Sequence, residues 1–190
     1  MDFAQKTVVV FGASRGIGLA TATHFAKAGA NVVMLASNLR ALEQAAEEIG
    51  PMSGSILIRV CDVADYKQVE NMINFTFSSY ERLDVVVNNA GVIEPLSVLH
   101  ESGPEVWSRA VDINFKGVYY SMRAALPIMR SQQFGTIINM SSGSANSALN
   151  GWSHYCSTKS AAKKLTEVAH VECQNDGINI IGLSPGTVAT

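Results

Sequence analysis

The sequence offers little that points to nucleic-acid, metal or disulfide chemistry. Among its 190 residues, 14 Lys and Arg stand against 16 Asp and Glu, and the basic residues are scattered along the chain. Nucleic-acid-binding surfaces need clustered positive charge, so we expect no nucleic-acid partner. The three cysteines, Cys61, Cys156 and Cys173, are widely spaced and form no CxxC pair. Such a set argues against a disulfide framework and a zinc site, and we expect no metal and a reducing, cytoplasmic compartment.

Long apolar runs are also missing. No stretch approaches the ~20 apolar residues that a membrane-spanning helix needs, and the first residues lack the basic segment and long apolar stretch of a secretory signal. We therefore expect no membrane partner. The 47% hydrophobic and 16% charged residues are ordinary for a compact protein that buries one core.

Short apolar runs alternate with longer helical patterns along the chain. The runs are rich in Val and Ile and nearly continuous, which is typical of parallel strands buried on both faces. Strands are predicted at 7–11, 31–35, 55–60, 84–87, 136–140 and 178–183, and helices at 16–29, 38–49, 65–80, 103–131 and 153–176. This order predicts an α/β fold with a doubly wound parallel sheet, the Rossmann fold, as one domain over residues 1–190.

A glycine-rich turn joins the first predicted strand to the first predicted helix. It reads Gly12-Ala13-Ser14-Arg15-Gly16-Ile17-Gly18. Glycines let the backbone turn tightly and approach a pyrophosphate, and the N-terminus of the helix supplies free N–H groups and the positive end of a dipole. The spacing is GxxxGxG, and no Lys-Ser or Lys-Thr follows it as in a P-loop. We therefore predict a phosphate cradle at residues 12–18.

Tyr155 and Lys159 lie four residues apart in the last predicted helix, so they share one face of it. A positive charge beside a phenol stabilises the phenolate, which makes the phenol a usable proton donor and acceptor. The same spacing occurs in ordinary surface pairs. The other motifs in the chain favour a catalytic pair over an ordinary surface pair.

Six motifs occur in a fixed order along the chain. They are the glycine motif at 12–18, Asn88-Asn89-Ala90-Gly91 after the fourth strand, Asn114 in Asn114-Phe115-Lys116-Gly117, Ser142 after the fifth strand, Tyr155 with Lys159, and Pro185-Gly186 after the sixth strand. Together they resemble the compact, single-domain branch of the short-chain dehydrogenase/reductase family, from residue 6 to residue 190. The resemblance implies an enzyme that transfers hydride between a nicotinamide cofactor and a small carbonyl or alcohol substrate.

The resemblance also implies four catalytic residues. Tyr155 is expected to protonate the carbonyl oxygen as hydride arrives, and Lys159 to assist it and to bind the nicotinamide ribose. Ser142, thirteen residues before Tyr155 as in the family pattern, is expected to hold the substrate oxygen, with Ser141 as the alternative. Asn114 is expected to bind a water that connects Lys159 to solvent, or else to bond locally within its helix.

The same resemblance implies cofactor contacts near the ends of the strands. Two of these positions have a structural alternative, because Asp62 also suits the N-cap region of the helix that begins near Asp65 and Asn89 also suits a loop that braces the sheet. The expected contacts are Gly12, Ser14, Arg15, Gly16, Ile17, Gly18, Ser37, Asp62, Val63, Asn89, Ala90, Gly91, Tyr155, Lys159, Pro185, Gly186, Val188 and Thr190.

The end of the second predicted strand favours NADP over NAD. NAD sites place a carboxylate there for the ribose hydroxyls, whereas this chain has Ala36-Ser37-Asn38. Arg15, Ser37 and Arg40 are suited to bind a 2′-phosphate through charge-assisted hydrogen bonds. Arg40 also fits a solvent-facing position of its helix, and NAD remains the alternative cofactor.

Members of the family continue past the position of Thr190 into a segment that covers the substrate and a final strand and helix. We therefore expect a chain that is C-terminally short relative to the family and lacks that strand and lid. This expectation leaves a second function open, a cofactor-binding or partner-binding scaffold with impaired catalysis. The resemblance further implies a homodimer or homotetramer that associates through the helices predicted at 103–131 and 153–176.

Overall fold

The computed structural model describes residues 3–52, 54–94, 96–186 and 188. Within these ranges the chain forms six parallel strands and six α-helices, which loops and short turns connect. The strands are β1 Thr7–Phe11, β2 Asn31–Ala36, β3 Ile56–Val60, β4 Val85–Asn88, β5 Gly135–Met140 and β6 Ile178–Leu183. The helices are α1 Gly16–Lys27, α2 Leu39–Ile49, α3 Tyr66–Tyr80, α4 Pro104–Val111, α5 Gly117–Gln132 and α6 Ser153–Cys173. The strands form one sheet in the order β3-β2-β1-β4-β5-β6, the doubly wound order that the alternating pattern predicts.

β1 lies in the middle of the sheet, where the strand order reverses. Val9 is opposite Val33 of β2 on one side and opposite Val86 of β4 on the other. Successive side chains of a strand point to opposite faces, and both faces are covered by helices, so all five residues of β1 are buried. The point between β1 and β4 is where ligands of open α/β sheets bind.

The two faces of the sheet carry separate apolar cores. Val8 and Val10 pack with Ala22 of α1 and Leu42 of α2 on one face. Phe11 and other side chains of the opposite face pack with residues of α3, α5 and α6. Burying an aliphatic side chain of this size contributes about 2 kcal/mol to the stability of the fold. The pattern of apolar runs in the sequence therefore favours helices packed on both faces of the sheet. Within the described ranges, no helix combines the length and the apolar character needed to cross a bilayer.

The continuous helix predicted over residues 103–131 is wrong. α4 ends at Val111, Asp112–Lys116 form a π-helical turn, and α5 begins at Gly117. The wider turn places Asn114 at a fully buried position. The boundaries of the other elements differ from the predicted ones by at most three residues, as expected where helix and strand ends fray.

At the amino-terminal edge of the sheet, Asp84 fastens β1 to the segment that enters β4. Its carboxylate accepts hydrogen bonds from the Thr7 amide at 2.8 Å and from the Arg82 guanidinium at 2.7 and 2.6 Å, and the Lys6 ammonium lies 3.4 Å away. Burial by itself would raise the pKa of Asp84, but the hydrogen bonds from Arg82 and Thr7 and the two positive charges lower it below its ordinary value. The buried carboxylate is therefore ionised and paired at neutral pH.

Candidate active site

The predicted site residues gather at the carboxyl-terminal edge of the sheet, because parallel strands all end there. Residues 12–18 follow β1, Ser37 follows β2, Asp62 and Val63 follow β3, residues 89–91 follow β4, Ser142 follows β5, and Pro185, Gly186 and Val188 follow β6. Tyr155 and Lys159 come from the first turns of α6, and Asn114 comes from the π-helical turn. Thr190 lies outside the described residues.

The glycine turn is packed so closely that side chains cannot replace its hydrogens. Gly12 has φ +72°, and a Cβ there would lie 2.7 Å from Cα of Ala90. A Cβ on Gly18 would overlap the carbonyl oxygen of Gly12, which accepts a hydrogen bond from Nδ2 of Asn89 at 2.9 Å. Within the described residues, the N-cap Arg15 makes no side-chain capping bond to α1. A bare turn that leads to open helix amides fits the pyrophosphate of a dinucleotide.

A groove of about 510 Å³ opens beside this turn. Gly16, Ile17, Pro185 and Val188 line it together with the outer face of α1. These four residues are all predicted cofactor contacts, and they come from the first turn of α1 and from the segment after β6. Of the described residues that line the groove, none belongs to the four predicted catalytic positions.

Lys159 is buried at the base of the candidate site. Only 5% of the residue is exposed, and its Nζ donates a hydrogen bond of 2.7 Å to the carbonyl oxygen of Met140, the last residue of β5. The same Nζ lies 5.7 Å from the centre of the Tyr155 ring. Burial lowers the pKa of Lys159 to about 8. The expected one-turn spacing on α6 thus brings an ammonium next to the phenol ring.

Asn114 connects three parts of the site. Its Oδ1 accepts a hydrogen bond from the Val92 amide at 2.8 Å, and its Nδ2 donates to the Val92 carbonyl at 2.8 Å and to Oγ1 of Thr158 at 3.3 Å. A Cβ on Gly91 would lie 3.3 Å from Asn114 Oδ1 and 3.8 Å from Lys159 Nζ, so Gly91 sits beside both side chains. The loop after β4 is thereby fixed against α6 at the point where Lys159 is buried.

Ser142 begins the turn that follows β5. Its Oγ accepts hydrogen bonds from the amide and the hydroxyl of Ser144, at 3.2 and 2.7 Å, and it caps the 3₁₀ turn Gly143–Asn146. Ser160 of α6 donates a 2.8 Å hydrogen bond to the Ala145 carbonyl, which ties this turn to the catalytic helix. Ser141, the alternative, still belongs to the sheet through its amide, which donates to the Leu183 carbonyl at 2.7 Å.

An aromatic side chain and a buried histidine flank Tyr155. The Trp152 ring meets the Tyr155 ring edge to face, with centres 5.7 Å apart and planes at 76°. His154 is buried, and its Nε2 lies 3.0 Å from the carbonyl oxygen of Ile93 in the loop after β4. Ser97 of the same loop pairs with Trp152 through the backbone. The Trp152 ring therefore forms an apolar wall beside the phenol, and the contacts of His154 and Trp152 hold the loop after β4 against the start of α6.

The end of β2 exposes the residues expected near a ribose. Ser37, Arg40 and Arg15 are all exposed. Asn38 is the N-cap of α2, and its Oδ1 accepts a hydrogen bond from the Ala41 amide at 3.1 Å. The cap turns the chain so that Ser37 stands at the open edge of the sheet and Arg40 lies in the first turn of α2.

Asp62 makes a contact that the sequence did not suggest. Its carboxylate accepts a hydrogen bond from Arg109 of α4 at 2.8 Å and another from the Ala64 amide at 3.0 Å. The N-cap of α3 is Asp65, which accepts from the amides of residues 67 and 68. Asp65 is therefore the cap of α3, and Asp62 belongs to its N-cap region, because the Asp62 amide donates to Gln68 Oε1 at 3.0 Å and the Asp62 carbonyl accepts from the Asp65 amide at 3.0 Å.

A family model described as short chain dehydrogenase matches residues 6–190. The chain belongs to the short-chain dehydrogenase family. An uncharacterized oxidoreductase of Staphylococcus saprophyticus is 37% identical over 188 residues, which cover 98% of the chain and 75% of that protein. The resemblance and the Rossmann fold predicted from the sequence are both confirmed.

Solved structures of short-chain dehydrogenases superimpose closely on the chain. An NAD⁺-bound xylitol dehydrogenase has a TM-score of 0.95 at 27% identity, over 100% of the chain and 73% of that protein. A metagenomic short-chain oxidoreductase in complex with NADP has a TM-score of 0.92 at 30% identity, over 98% of the chain and 84% of that protein. Relatives of this kind are named oxidoreductases and dehydrogenases, which supports an oxidoreductase of the short-chain family rather than a scaffold.

Two polar residues at the short-chain dehydrogenase site escaped the sequence analysis. Ser144 lies two residues after Ser142 in a stretch rich in serine, where composition does not reveal which hydroxyl bonds to which. Arg109 is 47 residues from Asp62, so only the folded chain brings the pair together. Neither contact has a local sequence signal, because both depend on side-chain placement.

Proposed function

We propose that the chain is an NADP-dependent reductase or dehydrogenase that interconverts a carbonyl compound and its alcohol, with Tyr155 as general acid and base. The single observation that carries the proposal is the burial of the Lys159 ammonium 5.7 Å from the Tyr155 ring, at the sheet edge that also holds the glycine turn. A buried positive charge favours the phenolate form of a neighbouring tyrosine. Members of the family bind NAD or NADP.

In the proposed reduction, the phenolic O–H of Tyr155 breaks and its proton passes to the carbonyl oxygen of the substrate. Ser142 donates a hydrogen bond to the same oxygen and stabilises the negative charge that develops there. A bound nicotinamide supplies the hydride, or accepts it when the alcohol is oxidised. The phenolate that remains is stabilised by Lys159, whose Nζ is held in place by the Met140 carbonyl. Asn114, beside Lys159, holds the water through which the tyrosine regains its proton.

The proposal is tested by following nicotinamide absorbance over a panel of aldehydes, linear and cyclic ketones and polyols. Tyr155→Phe is expected to lower kcat by at least about a hundredfold, since it removes the proton donor and leaves the ring. Tyr80→Phe is a matched control, because Tyr80 ends α3 and its hydroxyl contacts Ser55 at an exposed position. Equal rates for the wild type and Tyr155→Phe would refute the assignment.

The preference for NADP is part of the proposal and rests on the end of β2. Ser37 stands there in place of a carboxylate, and Arg15 and Arg40 are both exposed. Both guanidinium groups are suited to bind a 2′-phosphate. Ser37→Asp is expected to raise kcat/KM with NAD relative to NADP, and Ser78→Asp, at an exposed position of α3, controls for the added charge. An unchanged ratio in Ser37→Asp would contradict this preference.

We also infer that copies of the chain associate through α4, α5 and α6 as a homodimer or homotetramer. Tyr119 of α5 and Val168 and Val171 of α6 expose 45%, 45% and 63% of their surface, and apolar side chains in such positions favour association. Light scattering is expected to give a dimer or tetramer, and a monomer at micromolar concentration would oppose the inference. The three cysteines are free thiols, which agrees with the proposed reducing, cytoplasmic compartment.

A further inference from the structure

We propose that Ser144 is a positioning residue that makes Ser142 an oriented hydrogen-bond donor toward the substrate oxygen. The proposal rests on the proposed function of Ser142 and extends it to a residue outside the four expected catalytic positions. Ser144 itself touches neither substrate nor cofactor in this scheme. It acts through the hydroxyl of Ser142.

A hydroxyl group has one proton to donate and two lone pairs that accept hydrogen bonds. Oγ of Ser142 accepts one hydrogen bond from the Ser144 hydroxyl at 2.7 Å and a second from the Ser144 amide at 3.2 Å. Both lone pairs are thereby engaged. The Ser142 proton is the remaining bonding group, so this hydroxyl meets a substrate oxygen as a donor.

Ser144 is well placed to fix that direction. It is 6% exposed, and it lies in the 3₁₀ turn that Ser142 caps. The next residue, Ala145, donates its amide to the Ser142 carbonyl at 3.0 Å and accepts a hydrogen bond from Ser160 of α6 at 2.8 Å. The turn is thus closed by a hydrogen bond of its own and tied to the helix that carries Tyr155.

Two physical effects follow for a reaction that places negative charge on the substrate oxygen. A donor that already points at the charge stabilises it without reorganising in the transition state. Hydrogen bonds that a hydroxyl accepts also polarise its O–H group and strengthen the bond that it donates. Without the Ser144 hydroxyl, only the 3.2 Å hydrogen bond from the Ser144 amide holds Oγ of Ser142, and the lone pair that is left open can accept from water instead.

The decisive experiment is a double-mutant cycle on kcat for carbonyl reduction. Ser144→Ala alone is expected to lower kcat about tenfold with KM for the nucleotide within about twofold, and Ser142→Ala alone to lower kcat by at least about a hundredfold. In the Ser142→Ala background, Ser144→Ala is expected to have no further effect, because the hydroxyl that it positions is gone. Ser147→Ala, at an exposed serine just after the same turn, is the matched control.

A variant that restores the hydroxyl distinguishes a positioning role of Ser144 from a packing role. Ser144→Thr keeps the hydroxyl and is expected to recover most of kcat, with a melting temperature close to that of the wild type. If Ser144→Ala does not fold, Ser144→Cys replaces it in the cycle, since a thiol fills a similar volume and is a weak donor. A kcat for Ser144→Ala equal to that of Ser147→Ala, an equal loss in the Ser142→Ala background, or a folded Ser144→Thr without recovery would each overturn the proposal.

A crystallographic comparison keeps this inference separate from the proposed function. If the wild type turns over no carbonyl or alcohol, the proposed function fails, and the Ser142 rotamer then decides the positioning role. Crystals of Ser144→Ala are expected to show Ser142 Oγ rotated from its wild-type position. An unchanged rotamer would overturn the role of Ser144 whatever the activity of the protein.

Discussion

Replacing Lys159 with methionine is expected to make the protein more stable at neutral pH while it removes the activity. Lys159 exposes only 5% of its surface in the fold, and burial lowers its pKa from 10.5 to about 8. A difference of this size means that the charged side chain costs about 3 kcal/mol in the folded state relative to water. Lys159→Met removes this cost but leaves the Met140 carbonyl without its donor. We expect a net gain of about 1 to 3 kcal/mol in the free energy of unfolding at pH 7.

The stability difference between the wild type and Lys159→Met is expected to change with pH in one direction. Because the pKa of Lys159 is lower in the folded state, the unfolded chain binds more protons between pH 8 and pH 10.5. Wild-type stability therefore rises through that window relative to Lys159→Met, in which the group is absent. The advantage of the variant is expected to shrink by about 2 kcal/mol between pH 7 and pH 10.

Urea denaturation followed by circular dichroism, without nucleotide, measures both proteins at pH 7, 8, 9 and 10. Groups shared by the two proteins cancel in the difference between their unfolding free energies. Lys27→Met, at an exposed position of α1, supplies the background of the same substitution in water. A difference between wild type and Lys159→Met that stays constant from pH 7 to pH 10 would refute the reasoning, as would a variant less stable than the wild type at pH 7.

Three further predictions test other parts of the structure. Gly12→Ala is expected to weaken nucleotide binding by at least about tenfold, because its Cβ would lie 2.7 Å from Ala90 Cα, and fluorescence titration with NADPH measures this. Asp84→Ala is expected to lower the free energy of unfolding by about 2 kcal/mol at pH 7, since Arg82 and the Thr7 amide lose their acceptor. Because the pKa of Asp84 is lowered in the fold, the wild type is expected to lose this advantage as the pH falls through the acid range. Urea titrations measure the difference in unfolding free energy between the wild type and Asp84→Ala. An equal difference at pH 7 and pH 3 would contradict the prediction. Thr166→Val is expected to cost about 1 kcal/mol in thermal unfolding, because buried Asn139 donates to the Thr166 hydroxyl at 2.9 Å, and an unchanged melting temperature would argue against that bond.

The layers of the fold could be predicted because parallel strands buried on both faces leave a strong signal. Val8, Val9 and Val10 are all fully buried, and a short run of β-branched apolar residues that ends at a glycine turn is typical of a central strand. The break at Asp112–Lys116 left no such signal. A π-helical turn holds one residue more than an α-helical turn, and the apolar spacing on either side of it, in α4 and in α5, stays helical. The apolar pattern therefore predicted one continuous helix.

The location of the site followed from strand order, but its internal contacts did not. Once Ser142 and the glycine turn were placed at strand ends, the fold itself brought them to one edge. The Met140 carbonyl that holds Lys159 was not foreseen, because a backbone acceptor has no sequence signature. The bond between Ser144 and Ser142 depends in the same way on rotamers, which composition does not specify.

The two edges of the sheet, at opposite ends of its strands, have different roles. Asp84 fastens the amino-terminal edge, whereas the glycine turn and Lys159 occupy the opposite edge, about 17 Å away along a five-residue strand such as β1. Substitutions in the loops after β4 and β5 alter the wall around Tyr155 without reaching the Asp84 cluster, and effects at such distant positions add nearly independently. Directed evolution of substrate range can therefore randomise residues 96–98 and 148–152 while the hydrogen bonds of Asp84 at the other edge stay in place.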